Sequence, residues 1–225
     1  MKARKFYENE AGNYDARHEN DTTRALRVIE NRIINKYAHG RSVDIGCGTL
    51  SRGAVGCDIA YNMLRKCRGK NLVVSAAEHL SFRGNYFDAV LCMFTVLNMT
   101  NYHETVKEMA HVMKRGGTAI ISVSSCWDAS NEPFRKRGAG TPGTKRMRIE
   151  KSRIQFHMFT RKEIQQIFEA SGFELVHFES LFIFQKPYWG WLRRFSLAER
   201  MKLWLERLIK GSEAGRMYFF VFRKA

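Results

Sequence analysis

What this 225-residue chain lacks narrows its class before any motif is read. No apolar run approaches the 18 or more residues of a membrane span, and Met1-Lys2-Ala3-Arg4-Lys5 holds no apolar signal core. A cytoplasmic location is therefore expected. The five cysteines (Cys47, Cys57, Cys67, Cys92 and Cys126) are odd in number, scattered and without a C-x-x-C pair. A disulfide framework and a metal cluster both fit badly, so no metal is expected. Acidic residues are scarce as well: 22 against 38 lysines and arginines, a formal charge of +16. Such an excess favours an anionic partner, whether nucleic acid, an acidic membrane surface or a phosphorylated substrate.

What is present reads as one globular domain, residues 1–225, with an ordinary 44% hydrophobic content. Residues 1–40 form an N-terminal helical segment, in which Leu26, Ile29, Ile33 and Tyr37 repeat at helical spacing. Strands are predicted near 42–45, 54–58, 71–75, 86–92 and 117–123, with helices near 60–68 and 101–114. Gln155–Phe159 is strand-like, Thr160-x-x-Glu163 opens a helix running to Ala170, and Phe173 returns as a strand. Met217–Arg223 closes the pattern. Strands alternating with helices predict a mostly parallel α/β sheet.

Within that pattern, Val43-Asp44-Ile45-Gly46-Cys47-Gly48 is followed ten residues later by Cys57-Asp58-Ile59. Glycines at 46 and 48 allow a tight turn and close approach of a ligand, because neither carries a Cβ. Asp58 can accept hydrogen bonds from two vicinal ribose hydroxyls. A dinucleotide fingerprint wants a third glycine where Ser51 stands, and a longer Gly-to-acid spacing. The nicotinamide reading is therefore poor.

The same residues resemble the Asp-x-Gly-x-Gly-x-Gly motif of class I S-adenosylmethionine-dependent methyltransferases. Gly56–Ala60 with Met63-Leu64 looks like that family's ribose-binding motif, Ala76–Phe82 like its adenine-side loop, and Tyr86–Leu91 like its fourth strand. Val112–Gly117 leading into Thr118–Val123 is similar to its helix–Gly-Gly–fifth-strand passage. The resemblance implies a Rossmann-like seven-stranded sheet, mostly parallel with an antiparallel last strand, and S-adenosylmethionine as cofactor. It places Tyr14, Asp44, Gly46, Cys47, Gly48, Asp58, Ile59, Met63, Ala77, Glu78 and Phe94 around that cofactor. Two positions depart from the pattern: Leu50 replaces the third glycine, and Ala76 an acid. With about nine residues between Gly48 and Asp58, the first crossover helix is expected to be shortened or absent.

For catalysis, Asn98 could orient an acceptor and His157 could act as base, since an ordinary histidine titrates near pH 6.5. Two insertions bear on the acceptor. Residues 127–153 read as a basic loop, in which eight basic residues between Arg135 and Arg153 are offset only by Glu150. That arm, and a looser similarity to tRNA wobble-uridine methyltransferases, points to RNA as partner. Residues 186–212 read as an amphipathic helical insertion, and Trp189–Lys210 could touch a membrane surface. The alternatives are a methyltransferase of a small molecule or a lipid or quinone precursor, and a non-catalytic binding protein on the same fold.

Overall fold

The final strand, Met217–Lys224, with four aromatics in an apolar run from Met217 to Phe222, dictates how the rest is arranged. Successive side chains of a strand face opposite sides of a sheet, so a continuous apolar run must be covered on both faces. A computed structural model describes residues 2–19, 21–94, 96–127, 143–149, 152–181, 213 and 215–225. Its helices are α1 (Lys2–Glu10), α2 (Tyr14–His18), α3 (Asp21–Tyr37), α4 (Tyr61–Leu64), α5 (Val96–Met99), α6 (Tyr102–Val112) and α7 (Arg161–Glu169). Its strands are β1 (Ser42–Ile45), β2 (Val55–Asp58), β3 (Leu72–Val74), β4 (Phe87–Cys92), β5 (Met113–Ser124), β6 (Gly143–Ile149), β7 (Ser152–Met158), β8 (Phe173–Leu181) and β9 (Met217–Lys224).

Seven strands form one sheet in the order β3-β2-β1-β4-β5-β9-β8. The first five are parallel, and β9 runs antiparallel to both of its neighbours. On one face Tyr218, Phe220 and Phe222 of β9 join a core completed by α6 and α7, and Phe168 stacks on Phe222 at 4.3 Å. On the other face Phe219 and Val221 meet Leu26, Ile33 and Ile34 of α3. The helix α7 starts where its capping residue dictates: Thr160 Oγ1 accepts from the Glu163 N–H at 3.1 Å.

Three expected elements differ. The helix expected over 60–68 stops at Leu64, because the chain then tightens into i→i+3 turns and the Arg68 N–H donates to the Thr49 carbonyl. β5 begins at Met113, not 117, and absorbs the extra residues as an irregularity: Phe87 pairs with Met113 but Ala89 with Thr118. The stretch expected as a basic loop is partly strand, since Gly143–Ile149 pairs antiparallel with Ser152–Met158 in a separate two-stranded sheet. The remainder of that stretch from 128 to 142, and the expected helix over 197–210 with Trp189, lie outside the described residues. Among the described residues no helix is long and apolar enough to cross a membrane.

The first crossover carries no helix at all between Ile45 and Val55. Side chains replace it: the Arg52 N–H donates to Asp44 Oδ2 at 2.8 Å and the Ala54 N–H to Ser42 Oγ at 3.1 Å. This short path brings Gly53 so close to β1 that a Cβ there would lie 2.8 Å from both the Asp44 nitrogen and the Val55 oxygen. Both neighbours are main chain and cannot yield. Gly53→Ala should therefore cost about 1–3 kcal/mol of stability, the range for overpacking. Urea denaturation reads this directly, and an unchanged midpoint would show that the loop has room to spare.

Candidate active site

Three parallel strands, β2, β1 and β4, end side by side, and the turns leaving them line a cavity of about 930 Å³. This is the crevice beyond the carboxyl ends of the strands where open α/β sheets bind ligands. Gly46 and Gly48 both adopt left-handed backbone conformations, with φ of +67° and +57°. A Cβ on Gly48 would reach only ordinary van der Waals contact, 3.9 Å from Met63 and 4.0 Å from Tyr14. The turn thus leaves a bare stretch of main chain facing the cavity.

Asp58 closes that turn. Its Oδ2 accepts from the Gly48 N–H at 2.9 Å and its Oδ1 from the Ala60 N–H at 2.8 Å. Burial pushes its carboxyl up, against those two main-chain donors that pull it down. A carboxylate has about four acceptor positions, so two main-chain donors leave capacity for a diol from the cavity side. Each of the eleven residues expected around the cofactor lines this one cavity: Tyr14, Asp44, Gly46, Cys47, Gly48, Asp58, Ile59, Met63, Ala77, Glu78 and Phe94. Burial pushes the Cys47 and Cys57 thiols far up, so neither acts as a nucleophile near neutrality.

The N-terminal helices roof this cavity. Tyr14 packs with Ala11, Ala60 and Met63, while Asp15 accepts a hydrogen bond from the Thr49 hydroxyl. Glu8 receives the main-chain N–H groups of Tyr61 and Asn62 at 3.0 and 2.8 Å, pinning α1 to α4.

Behind the Gly46 turn lies a group of charges that no motif announces. Glu30, fully buried on α3, pairs its Oε2 with Arg52 at 2.7 Å, while its Oε1 has no hydrogen-bond partner. Burial, resisted by Arg52, holds its carboxyl up at about 7. Burial likewise raises Asp44 to about 6, in spite of the Arg52 N–H that donates to it. Arg27, one turn before Glu30, and Arg52 both line the cavity. A periodicity reading of α3 sees Arg27 and Glu30 as ordinary helix residues, and only the register of the helix on the sheet brings them to the site.

The cavity continues past β4. Phe94, just after β4, is held at φ +57°, a conformation rare for a bulky residue, with its N–H donating to Ser122 Oγ. Beyond it the walls are Met99, Ser124, Gln155, Phe156 and Arg216, facing Phe6 and Tyr7 of the roof. From Asp58 on β2 to Ser124 on β5 is three strand spacings, ~14 Å.

Asn98 and His157 do not line this space, and their side chains are committed elsewhere. The Asn98 amide donates to the carbonyls of Ser124 (3.0 Å) and His157 (2.6 Å) and accepts from the Ser124 N–H (3.0 Å). It staples β7 to the end of β5. The His157 ring lies against Tyr102 and Phe159 and meets Glu163 at 2.7 Å. Both are thus held as structural residues behind the wall instead of as orienting group and base within it. Among the described residues no cluster of three or more metal-ligating side chains occurs.

The bare Gly48 turn, the diol-ready Asp58 and the cavity's length fit S-adenosylmethionine. Residues 43–121 match a family model described as a methyltransferase domain. The chain is 27% identical over 202 residues to an uncharacterized protein of Methanocaldococcus jannaschii, covering 79% of this chain and 78% of that one. It is 35% identical over 144 residues to the ubiquinone/menaquinone biosynthesis C-methyltransferase UbiE of Neisseria meningitidis, covering 53% of this chain and 58% of UbiE. The fold matches that of a SAM-dependent methyltransferase from Thermotoga maritima with a TM-score of 0.69 over 99% of both chains, at 17% identity. Residues 43–121 thus form a methyltransferase domain on the fold of S-adenosylmethionine-dependent methyltransferases, and S-adenosylmethionine is the cofactor this implies.

Proposed function

We propose that the acceptor is a small, largely apolar molecule with a planar ring, of the kind a quinone precursor exemplifies. The observation that carries this reading is the extension of the cavity beyond Phe94, lined by Tyr7 of α1, Met99 and Phe156. Rings of this kind hold a planar guest through offset or edge contacts. UbiE, named for a quinone C-methylation, supports the same acceptor class.

Bound S-adenosylmethionine supplies an already activated methyl group, so the residues here chiefly bind, align and exclude water. Asp58 and the Gly48 turn fix one end, and Phe94 and Phe156 limit where an acceptor can sit. Within the cavity, Glu10 is paired with Arg17 at 2.6 Å, and His18 Nδ1 engages the Tyr14 carbonyl. With Asn98 and His157 outside, the acceptor is expected to bring its own electron-rich atom. RNA is the second reading. It rests on the +16 charge and on β6, whose Arg146 stands in register with Gln155 at the cavity wall.

Two measurements test the assignment. Asp58→Ala should weaken S-adenosylmethionine binding by about 1–3 kcal/mol, the scale for hydrogen bonds to a charged group. Unchanged affinity by titration calorimetry would remove Asp58 from the ribose. The protein should also move label from methyl-labelled S-adenosylmethionine into a low-mass, solvent-extractable fraction of a deletion strain. Label confined to the tRNA fraction would overturn the small-acceptor reading in favour of RNA.

A further inference from the structure

A methyltransferase has to hold a cationic sulfonium cofactor and let go of a neutral thioether product that is otherwise nearly the same molecule. Contacts to ribose and adenine cannot tell the two apart. Besides the methyl group itself, the difference between them is the charge on sulfur, and the charges at the Gly46 end of the cavity are unevenly balanced.

Three buried carboxylates meet there: Asp44 and Asp58 on the cavity wall, and Glu30 directly behind them. Two guanidinium groups face them, Arg27 and Arg52, both on the wall. Three against two leaves one surplus negative charge when all are ionised. Arg52 is shared, bonding Glu30 at 2.7 Å through its side chain and Asp44 at 2.8 Å through its N–H, so it cannot neutralise both. Glu30 Oε1 and Arg27 Nε are buried without hydrogen-bond partners. The other titratable groups around them are Glu8, which acts on Asp58, and Asp15, which accepts from Thr49, both adding negative charge, together with the thiols of Cys47, Cys57, Cys67 and Cys92 and the Tyr14 phenol, all raised by burial.

We infer that Glu30 is a specificity-determining residue that, with Asp44, makes this site favour the sulfonium cofactor over its thioether product through the surplus negative charge the pair maintains. The inference rests on S-adenosylmethionine being the cofactor. A buried carboxylate without a compensating cation is costly and takes up a proton instead. Both carboxyls are already raised into the range about 6–7, so a bound cation tips them toward ionisation. By linkage, the cationic ligand releases protons on binding and binds more tightly as pH rises through that window. The neutral product has no such coupling. Once the positive charge is gone, Glu30 can regain a proton from solvent, which removes the preference for what remains bound.

The experiment is calorimetric titration of S-adenosylmethionine and S-adenosylhomocysteine between about pH 5.5 and 7, below the α-amino titration of the ligands at ~7.7–8. The affinity ratio, sulfonium over thioether, should rise by about five- to tenfold across this range in the native protein. In Glu30→Gln the rise should shrink to the part Asp44 alone supplies, while S-adenosylhomocysteine binding survives as proof of a folded site. The native protein alone provides a second readout: in buffers of different ionisation enthalpy, S-adenosylmethionine should release protons near pH 6.5 and S-adenosylhomocysteine should not. A ratio independent of pH in the native protein, equal proton release by both ligands, or a full pH dependence in Glu30→Gln overturns the inference. Failure of either ligand to bind at any pH would instead overturn the cofactor assignment itself.

Discussion

Carboxylates that accept main-chain N–H groups at the ends of β1 and β2 are the constraint on which the rest of this site depends. Asp58 holds the Gly48 and Ala60 nitrogens, and Asp44 holds that of Arg52. A helix normally performs the return between two parallel strands and satisfies its own main chain. Here nine residues make the return, and strand-end side chains satisfy the groups a helix would have paired. The same bonds that close the loop expose the glycine main chain to the ligand. Folding of the connection and formation of the binding surface are therefore a single event.

The roof rests on different physics. α1 and α2 contribute a small apolar cluster, in which Tyr7 and Tyr14 pack on Ala11, Ala60 and Met63, apart from the two large cores that bracket the sheet. Its other ties include Glu8 on the start of α4, Asp15 on Thr49 and the Tyr7 hydroxyl on Met99 Sδ at 3.3 Å. Segments with few buried apolar contacts lie at the low end of local stability. The site thus joins a floor fixed by buried carboxylates to a cover held by half-buried Glu8 and exposed Asp15, an order that suits a ligand that must enter and leave.

The residues legible in the sequence are those whose role is set by local spacing. The glycines at 46 and 48, the acid at 58 and the β-period of the strands are short-range features, and each sits where its spacing places it. The missing first helix was legible for the same reason, as a chain length too short for one. Glu30 was not, because a lone acid within an amphipathic helix carries no sign of which face meets a strand end. Asn98 and His157 show the converse. Polar residues near a reacting centre suggest catalysis, but an amide is also the group best able to join two strands through both its donor and its acceptor. Asn98 spends all three of its recorded bonds on that task. Pairing of β6 with β7 was hidden for a compositional reason, since glycine and clustered positive charge resemble a solvated loop.

The overall charge and the site charge point in opposite directions, and this bears on what the protein binds where. A chain of +16 attracts anions to its surface, yet the cavity floor holds more buried carboxylates than guanidinium groups. Fields from exposed lysines and arginines are screened within about 8–10 Å at ordinary ionic strength, whereas buried groups feel one another far more strongly. The surface excess therefore cannot decide which ligand occupies the crevice. A cationic cofactor is accepted by an interior arranged against the sign of the exterior. Beyond Phe94 those carboxylates give way to a wall in which Met99 and Phe156 alternate with Ser124, Gln155 and Arg216, so a guest there meets apolar and polar groups together.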